Sequence, residues 1–152
     1  MLFQVATDND LEFICQLSGE LFSKYGNYEE IVAGWFLEPG VITVVATEKQ
    51  RRYGFAMLIM EKQRMFEPRR GHLLAIGIFP QHQREGIGRA LLGHMEEVAR
   101  QYGSTEMRLW TAIDNEPALS FFEKAGFLII GSKNFYYPNG QAALALSKEL
   151  VP

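Results

Sequence analysis

Gln83-Arg84-Glu85-Gly86-Ile87-Gly88 is the stretch of this 152-residue chain whose residue types and spacing can do chemistry. Two glycines one residue apart let the backbone turn sharply, and the residues behind them carry helical apolar spacing. Free N–H groups at a helix N-terminus, helped by the helix dipole, hold an anion. The ligand that suits this geometry is a phosphate or pyrophosphate. Spacing separates the ligand classes that use such turns. A nucleoside-triphosphate loop closes on Gly-Lys-Ser/Thr, whereas Arg89-Ala90 follows Gly88 here. A dinucleotide fingerprint needs a third glycine and then an acid about 20 residues on, but Leu91 and Arg108 stand at those places. What remains is Gln-x-x-Gly-x-Gly after an apolar strand ending at Pro80.

Three histidines and one cysteine complete the candidate chemistry. His72 lies near the start of that apolar strand, His82 beside the turn and His94 on the following helix. Cys15 falls in an amphipathic helical stretch and reads as packing rather than nucleophile. A single cysteine excludes an internal disulfide and fits a reducing cytoplasm. No cluster has metal-ligand spacing. The 15 basic and 18 acidic residues give a net charge of −3, which argues against a general nucleic-acid binder. The N-terminal residues lack a signal-peptide pattern, and no apolar run approaches the roughly 20 residues of a membrane span.

These residues are positioned by alternating strands and helices. A short strand at Phe3 and Val5 precedes a helix capped at Thr7 or Asp8, with Leu11, Ile14, Cys15, Leu17, Leu21 and Phe22 on helical spacing. A second helix spans about 29–37. Strands at 41–47 and 53–61 form a hairpin. A charged loop follows, and 71–79 is nearly continuous apolar sequence, as in a strand buried on both faces. A helix at 86–102, a strand at 106–113, a short helix at 115–125 and strands at about 127–136 and 142–146 complete one domain over 1–152. The order β-α-α-β-β-β-α-β-α-β-β predicts an α/β (α+β) fold. It implies a mixed, mostly antiparallel sheet of about seven strands with helices on both faces.

Two motifs in this order resemble the general N-acetyltransferase (GNAT) superfamily. The first is Gln83-x-x-Gly86-x-Gly88 behind Ile78-Phe79-Pro80. The second is Asn115-x-x-Ala118-x-x-x-Phe122-x-x-x-Gly126-Phe127. The resemblance covers nearly all of the chain. It implies that acetyl-CoA is the cosubstrate, with no metal, and that the acetyl group passes directly to a primary amine. The strand before the turn would splay from its neighbour, and Ile76, Gly77 and Ile78 would bond the pantetheine arm. Gln83, Arg84, Glu85, Gly86, Ile87, Gly88 and Arg89 would hold the pyrophosphate, with Asn115 and Phe122 also at the cofactor. Relatives such as histone and serotonin acetyltransferases place a base eleven residues before the glycine motif, which here is His72. The family usually has tyrosine at Phe122 as general acid for the departing thiolate. Its absence assigns that duty to Tyr136, Tyr137 or water. It also motivates the alternative of a non-catalytic acetyl-CoA-binding sensor or regulatory module.

Asn134-Phe135-Tyr136-Tyr137-Pro138-Asn139-Gly140 resembles the tyrosine-bearing loop of protein N-terminal acetyltransferases, where such residues line a peptide groove, as would Tyr25 and Tyr28. Those enzymes often carry glutamate where Trp110 stands. The resemblance therefore implies an amine-bearing small molecule or a peptide N-terminus as partner, with no nucleic acid and no membrane. Trp35 and Phe36 would serve either a homodimer face or the core.

Overall fold

Val44, Ala46, Ala56 and Leu58 alternate with Val45, Phe55 and Met57, and both sets are fully buried. Because side chains of a strand point alternately to opposite faces, such a run must be covered on both sides. The computed structural model, which describes residues 1–151, supplies both covers. The strands are β1 (Leu2–Val5), β2 (Val41–Glu48), β3 (Arg51–Met60), β4 (Arg70–Ile78), β5 (Glu106–Ala112), β6 (Leu128–Lys133) and β7 (Ala143–Glu149). They form a seven-stranded sheet in the order β1-β2-β3-β4-β5-β7-β6. Only β4 and β5 pair in parallel.

One face packs against α3 (Ile87–Gln101) and α4 (Glu116–Lys124). Ile87, Leu91, Leu92, Met95 and Ala99 of α3 recur at helical spacing and join Leu73, Met107, Leu109, Phe122 and Phe127 in the larger core. The other face carries α1 (Leu11–Phe22) and α2 (Tyr28–Leu37), whose Ile14, Leu17 and Val32 meet Val45, Phe55 and Met57. Trp35 and Phe36 are half-buried and pack against this second core.

Several boundaries differ from the sequence reading for local reasons. A single 3-10 turn, Asp8–Asp10, intervenes before α1, because Thr7 N–H donates to the Asp10 carboxylate at 2.8 Å in a capping box. The helix expected from Gly86 begins at Ile87, with Gly86 as a left-handed cap. The strand expected to reach Tyr136 ends at Lys133, since Phe135 adopts a left-handed φ of 52°.

The feature that positions the site is a parting of β4 from β5. Their ladder runs from Arg70↔Glu106 to Leu73↔Leu109 and stops. The β3–β4 ladder continues to Gly54↔Ile78, and β5–β7 continues to Ala112↔Ala143. A bulge causes the divergence. Met57 pairs with Ala75 and Leu58 with Leu73, so Leu74 is an extra residue that bends β4. From Leu74 to Ile78 the side of β4 that faces β5 has no strand partner, as the splayed pair of the sequence reading requires.

Candidate functional site

The turn after β4 is held by its own side chains. The Gln83 amide donates to the Ile78 carbonyl at 3.1 Å, closing the turn back on the strand end. His82 Nδ1 lies 3.0 Å from Glu85 Oε1, and the His82 ring meets Tyr53 edge-on with centroids 4.6 Å apart. Arg84 and Gly86 have φ of 67° and 85°, both left-handed. Left-handed residues at alternate positions are a feature of backbone nests that can hold an anion. No side chain caps α3, so its first N–H groups stay free. Arg84 and Arg89 are exposed beside it. Ile87 is buried and anchors the helix start. A methyl group built on Gly86 would meet nothing within 4 Å. On Gly88 it would lie 3.5 Å from Phe121 and 3.6 Å from Ile78, an ordinary contact. The fold itself therefore does not require glycine at position 88.

Along β4, Ile76 packs toward α3, while α1 presses on Gly77 from the opposite face. A Cβ there would come within 2.8 Å of the Leu21 side-chain end and 3.3 Å of the Phe55 ring, so a larger residue would push those side chains aside. Asn115 caps α4, its Oδ1 accepting from Ala118 N–H at 3.3 Å. Phe122 is only 6% exposed and sits edge-on to both Phe121 and Phe127. Its ring packs in the larger core.

His72 occupies the paired part of β4, opposite Arg108 of β5 and just before the parting. Its Nδ1 lies 3.8 Å from Glu61 Oε1, and its side chain is 22% exposed. Burial lowers its pKa below the ordinary imidazole value, and Glu61 only partly offsets this. The imidazole is consequently neutral at neutral pH and able to accept a proton. Just beyond the parting, Trp110 stacks on Tyr136 with centroids 4.8 Å apart. Tyr137 packs on Tyr136, Tyr25 and Tyr28 at 4.9, 4.9 and 6.4 Å. Burial raises the pKa of all four tyrosines, Tyr28 to about 12, so each remains protonated near neutrality.

This aromatic cluster joins two distant loops. Asn139 N–H donates to the Tyr25 carbonyl at 3.1 Å, and the Asn139 and Gln141 amides both donate to the Lys24 carbonyl at 2.9 Å. Asp114 completes the tie, accepting from Lys24 at 2.8 Å and from the Tyr25 hydroxyl at 3.3 Å.

Sequence reading missed a polar network beneath His72. Glu106 Oε1 accepts from Arg108 Nε at 2.7 Å and from Ser147 Oγ at 2.6 Å, while Oε2 accepts from Arg70 Nε at 2.8 Å. Although burial opposes ionisation, these three donors pull the Glu106 pKa down to about 2. The alternation of Glu106, Arg108 and Trp110 along β5 was the available signal. A depressed folded-state pKa stabilises the fold above the ordinary carboxylate value of 4.5, and that contribution is lost as pH falls through 2. Glu106→Gln is therefore expected to lower the melting temperature at pH 7 and flatten the acid-denaturation profile between those limits, as followed by circular dichroism.

Cys15 is half-buried, and burial with the nearby Glu29 raises its pKa, leaving it a poor nucleophile. Among the described residues no group of three His, Cys, Asp or Glu side chains could hold a metal ion. No helix among them is long and apolar enough to cross a membrane.

Comparison with known proteins matches the features described above. Residues 9–127 match the family model of the acetyltransferase (GNAT) family. The chain is 31% identical over 137 residues to N-alpha-acetyltransferase 30 of Schizosaccharomyces pombe, covering 88% of this chain and 87% of that one. It is also 31% identical over 99 residues to an N-alpha-acetyltransferase of Sulfurisphaera tokodaii, a match over 64% of this chain that spans only 58% of the relative. An aminoglycoside 6'-N-acetyltransferase complexed with coenzyme A has the same fold, with a TM-score of 0.81 at 18% identity over 100% of this chain and 98% of that one. The glycine turn, the parted strands and the capped α4 all lie on or within the matched segment, and the chain belongs to the acetyltransferase (GNAT) family.

Proposed function

We propose that this protein transfers the acetyl group of acetyl-CoA directly to a primary amine, and that the acceptor is the α-amine of a peptide or protein N-terminus. The parting of β4 from β5 at Leu73 and Leu109, leading straight into the nest at Arg84–Gly88, carries this reading. The nest fits a pyrophosphate because its donors are backbone N–H groups with open space beside Gly86. The free edge at Ile76, Gly77 and Ile78 fits an amide-bearing pantetheine arm. One N–H on that edge facing the thioester carbonyl would contribute about 2.7–4 kcal/mol toward the tetrahedral oxyanion. Gln83, Glu85 and Asn115 act by holding the turn and the helix start.

The bound cosubstrate supplies a thioester carbon open to attack. Near neutral pH an alkyl amine is mostly protonated and needs a base. His72 takes the amine proton, directly or through water. The C–N bond forms, the C–S bond breaks, and Tyr136 gives its phenolic proton to the departing thiolate. Tyr136 replaces the hydroxyl that Phe122 lacks. Tyr137, wedged against Tyr25 and Tyr28, lines the groove for the acceptor chain. The names of the fission-yeast and archaeal relatives support a peptide acceptor.

The test is turnover: acetyl-CoA with a panel of amines and peptides, read by free thiol release and by mass of the product. Tight acetyl-CoA binding with no turnover on any acceptor would replace transfer by a non-catalytic binding role. Tyr136→Phe is expected to lower kcat about 10²-fold with acetyl-CoA affinity retained, as measured by steady-state kinetics and calorimetry.

A further inference from the structure

Resting on the acetyl-transfer reading, we propose that the acceptor carries a carboxylate close to its reacting amine and that the guanidinium of Arg108 receives it. Strand register places Arg70, His72, Glu106, Arg108, Trp110 and Ser147 on one face of the sheet, opposite buried Leu73, Met107, Leu109 and Leu146. The charges on this face are not equally spent. Glu106 has both oxygens engaged. Arg70 is shared between Glu106 and Glu61, the latter at 3.9 Å. Glu61 also faces His72. Arg108 donates from Nε alone, and its two terminal nitrogens have no hydrogen-bond partner among the described residues.

That side chain is 34% exposed, and the Glu106 carboxylate fixes its orientation from behind. A planar fork held at its base with its tip free is built for a carboxylate, which it can bind through two parallel N–H···O bonds. Arg108 is paired across the ladder with His72 and lies near enough to disfavour charging of that imidazole. Trp110, two residues on and roughly 7 Å along the strand, stands beyond the parting. A carboxylate on Arg108 thus sits one short side chain from the place where an amine would meet the thioester. An N-terminal Asp or Glu has this reach, and free aspartate or glutamate presents the same chemistry.

The experiment compares peptides differing only at the first residue, Glu against Gln and Asp against Asn, with free glutamate and aspartate as further acceptors. The expected kcat/KM is about tenfold higher for each acid than for its amide, with the ratio shrinking as salt is added. Arg108→Gln should bring the ratio near one, and Arg108→Lys should restore part of it. A merely structural role for Arg108 would depress both peptides alike and leave the ratio standing. Turnover of the peptides alone assigns a polypeptide N-terminus as the source, and equal turnover of the free amino acids assigns a metabolite. Equal rates for acid and amide in the wild type, or a ratio that survives Arg108→Gln, overturn the proposal. If no acceptor is turned over, the transfer reading falls, and calorimetry on the coenzyme A-loaded protein decides the carboxylate site separately. There N-acetylglutamyl peptide should bind about tenfold tighter than N-acetylglutaminyl peptide, the difference vanishing in Arg108→Gln. Equal affinities would reject the site.

Discussion

Gly86→Glu is expected to weaken acetyl-CoA binding more than a hundredfold while leaving the chain folded. Gly86 caps α3 with φ of 85°, so any side chain there adds strain of about 1–2 kcal/mol. Its Cβ direction is open, and no clash is added to the strain. The larger effect is electrostatic. A carboxylate about 5 Å from a pyrophosphate charge, at the effective dielectric of a protein surface, costs about 3 kcal/mol, which is over two decades in affinity. Thermal unfolding separates the two effects. The free variant should melt slightly below the wild type, and the upward shift that saturating acetyl-CoA gives the wild type should disappear. Gly88→Ala sharpens the test. Its methyl would sit 3.5 Å from Phe121 and 3.6 Å from Ile78, so stability should hold or rise slightly, as alanine favours a helix by about 1 kcal/mol over glycine. Its loss of affinity would then report ligand approach alone. Undiminished acetyl-CoA binding by Gly86→Glu would remove the turn from the site.

Elements with strong periodicity were legible in the sequence, because burial imposes it. The α3 stripe and the two-sided apolar runs of β3 and β4 predict their own covers. The turn was legible for a related reason, since two glycines straddling a helix start, with no capping side chain, have few other uses. What could not be read was anything set by contacts between distant segments. Glu106, Arg70 and Ser147 come from three strands, and only the register of β4, β5 and β7 brings them to one carboxylate. The bond from Asn139 to Tyr25 closes a loop pair more than a hundred residues apart. Gln83 illustrates a third kind of gap. Its place in the motif suggests a ligand contact, whereas its amide holds the end of β4. Phe122 was read correctly as lacking a proton to give, yet its burial against Phe121 and Phe127 appears only in three dimensions.

His72→Ala is expected to slow turnover by about 10²–10⁴-fold, the range lost with a positioned general base, and to leave acetyl-CoA affinity close to the wild-type value. The separation follows from geometry. His72 lies in the paired part of β4, on the face away from α3, whereas the pyrophosphate nest lies beyond Ile78. The pH profile distinguishes a base from a packing residue. Because burial lowers the His72 pKa below 6.5, the neutral form predominates at pH 7, and the acidic limb of kcat/KM should fall below the ordinary imidazole value. Activity should drop as pH decreases through that limb, since protonation removes the acceptor lone pair. In His72→Ala the limb should vanish, leaving a slower rate that rises with pH only as the amine itself deprotonates. Glu61→Gln should move the wild-type limb further down, because Glu61 is the group that favours the charged imidazole. A variant that keeps both its rate and its acidic limb without His72 would transfer the base to another group.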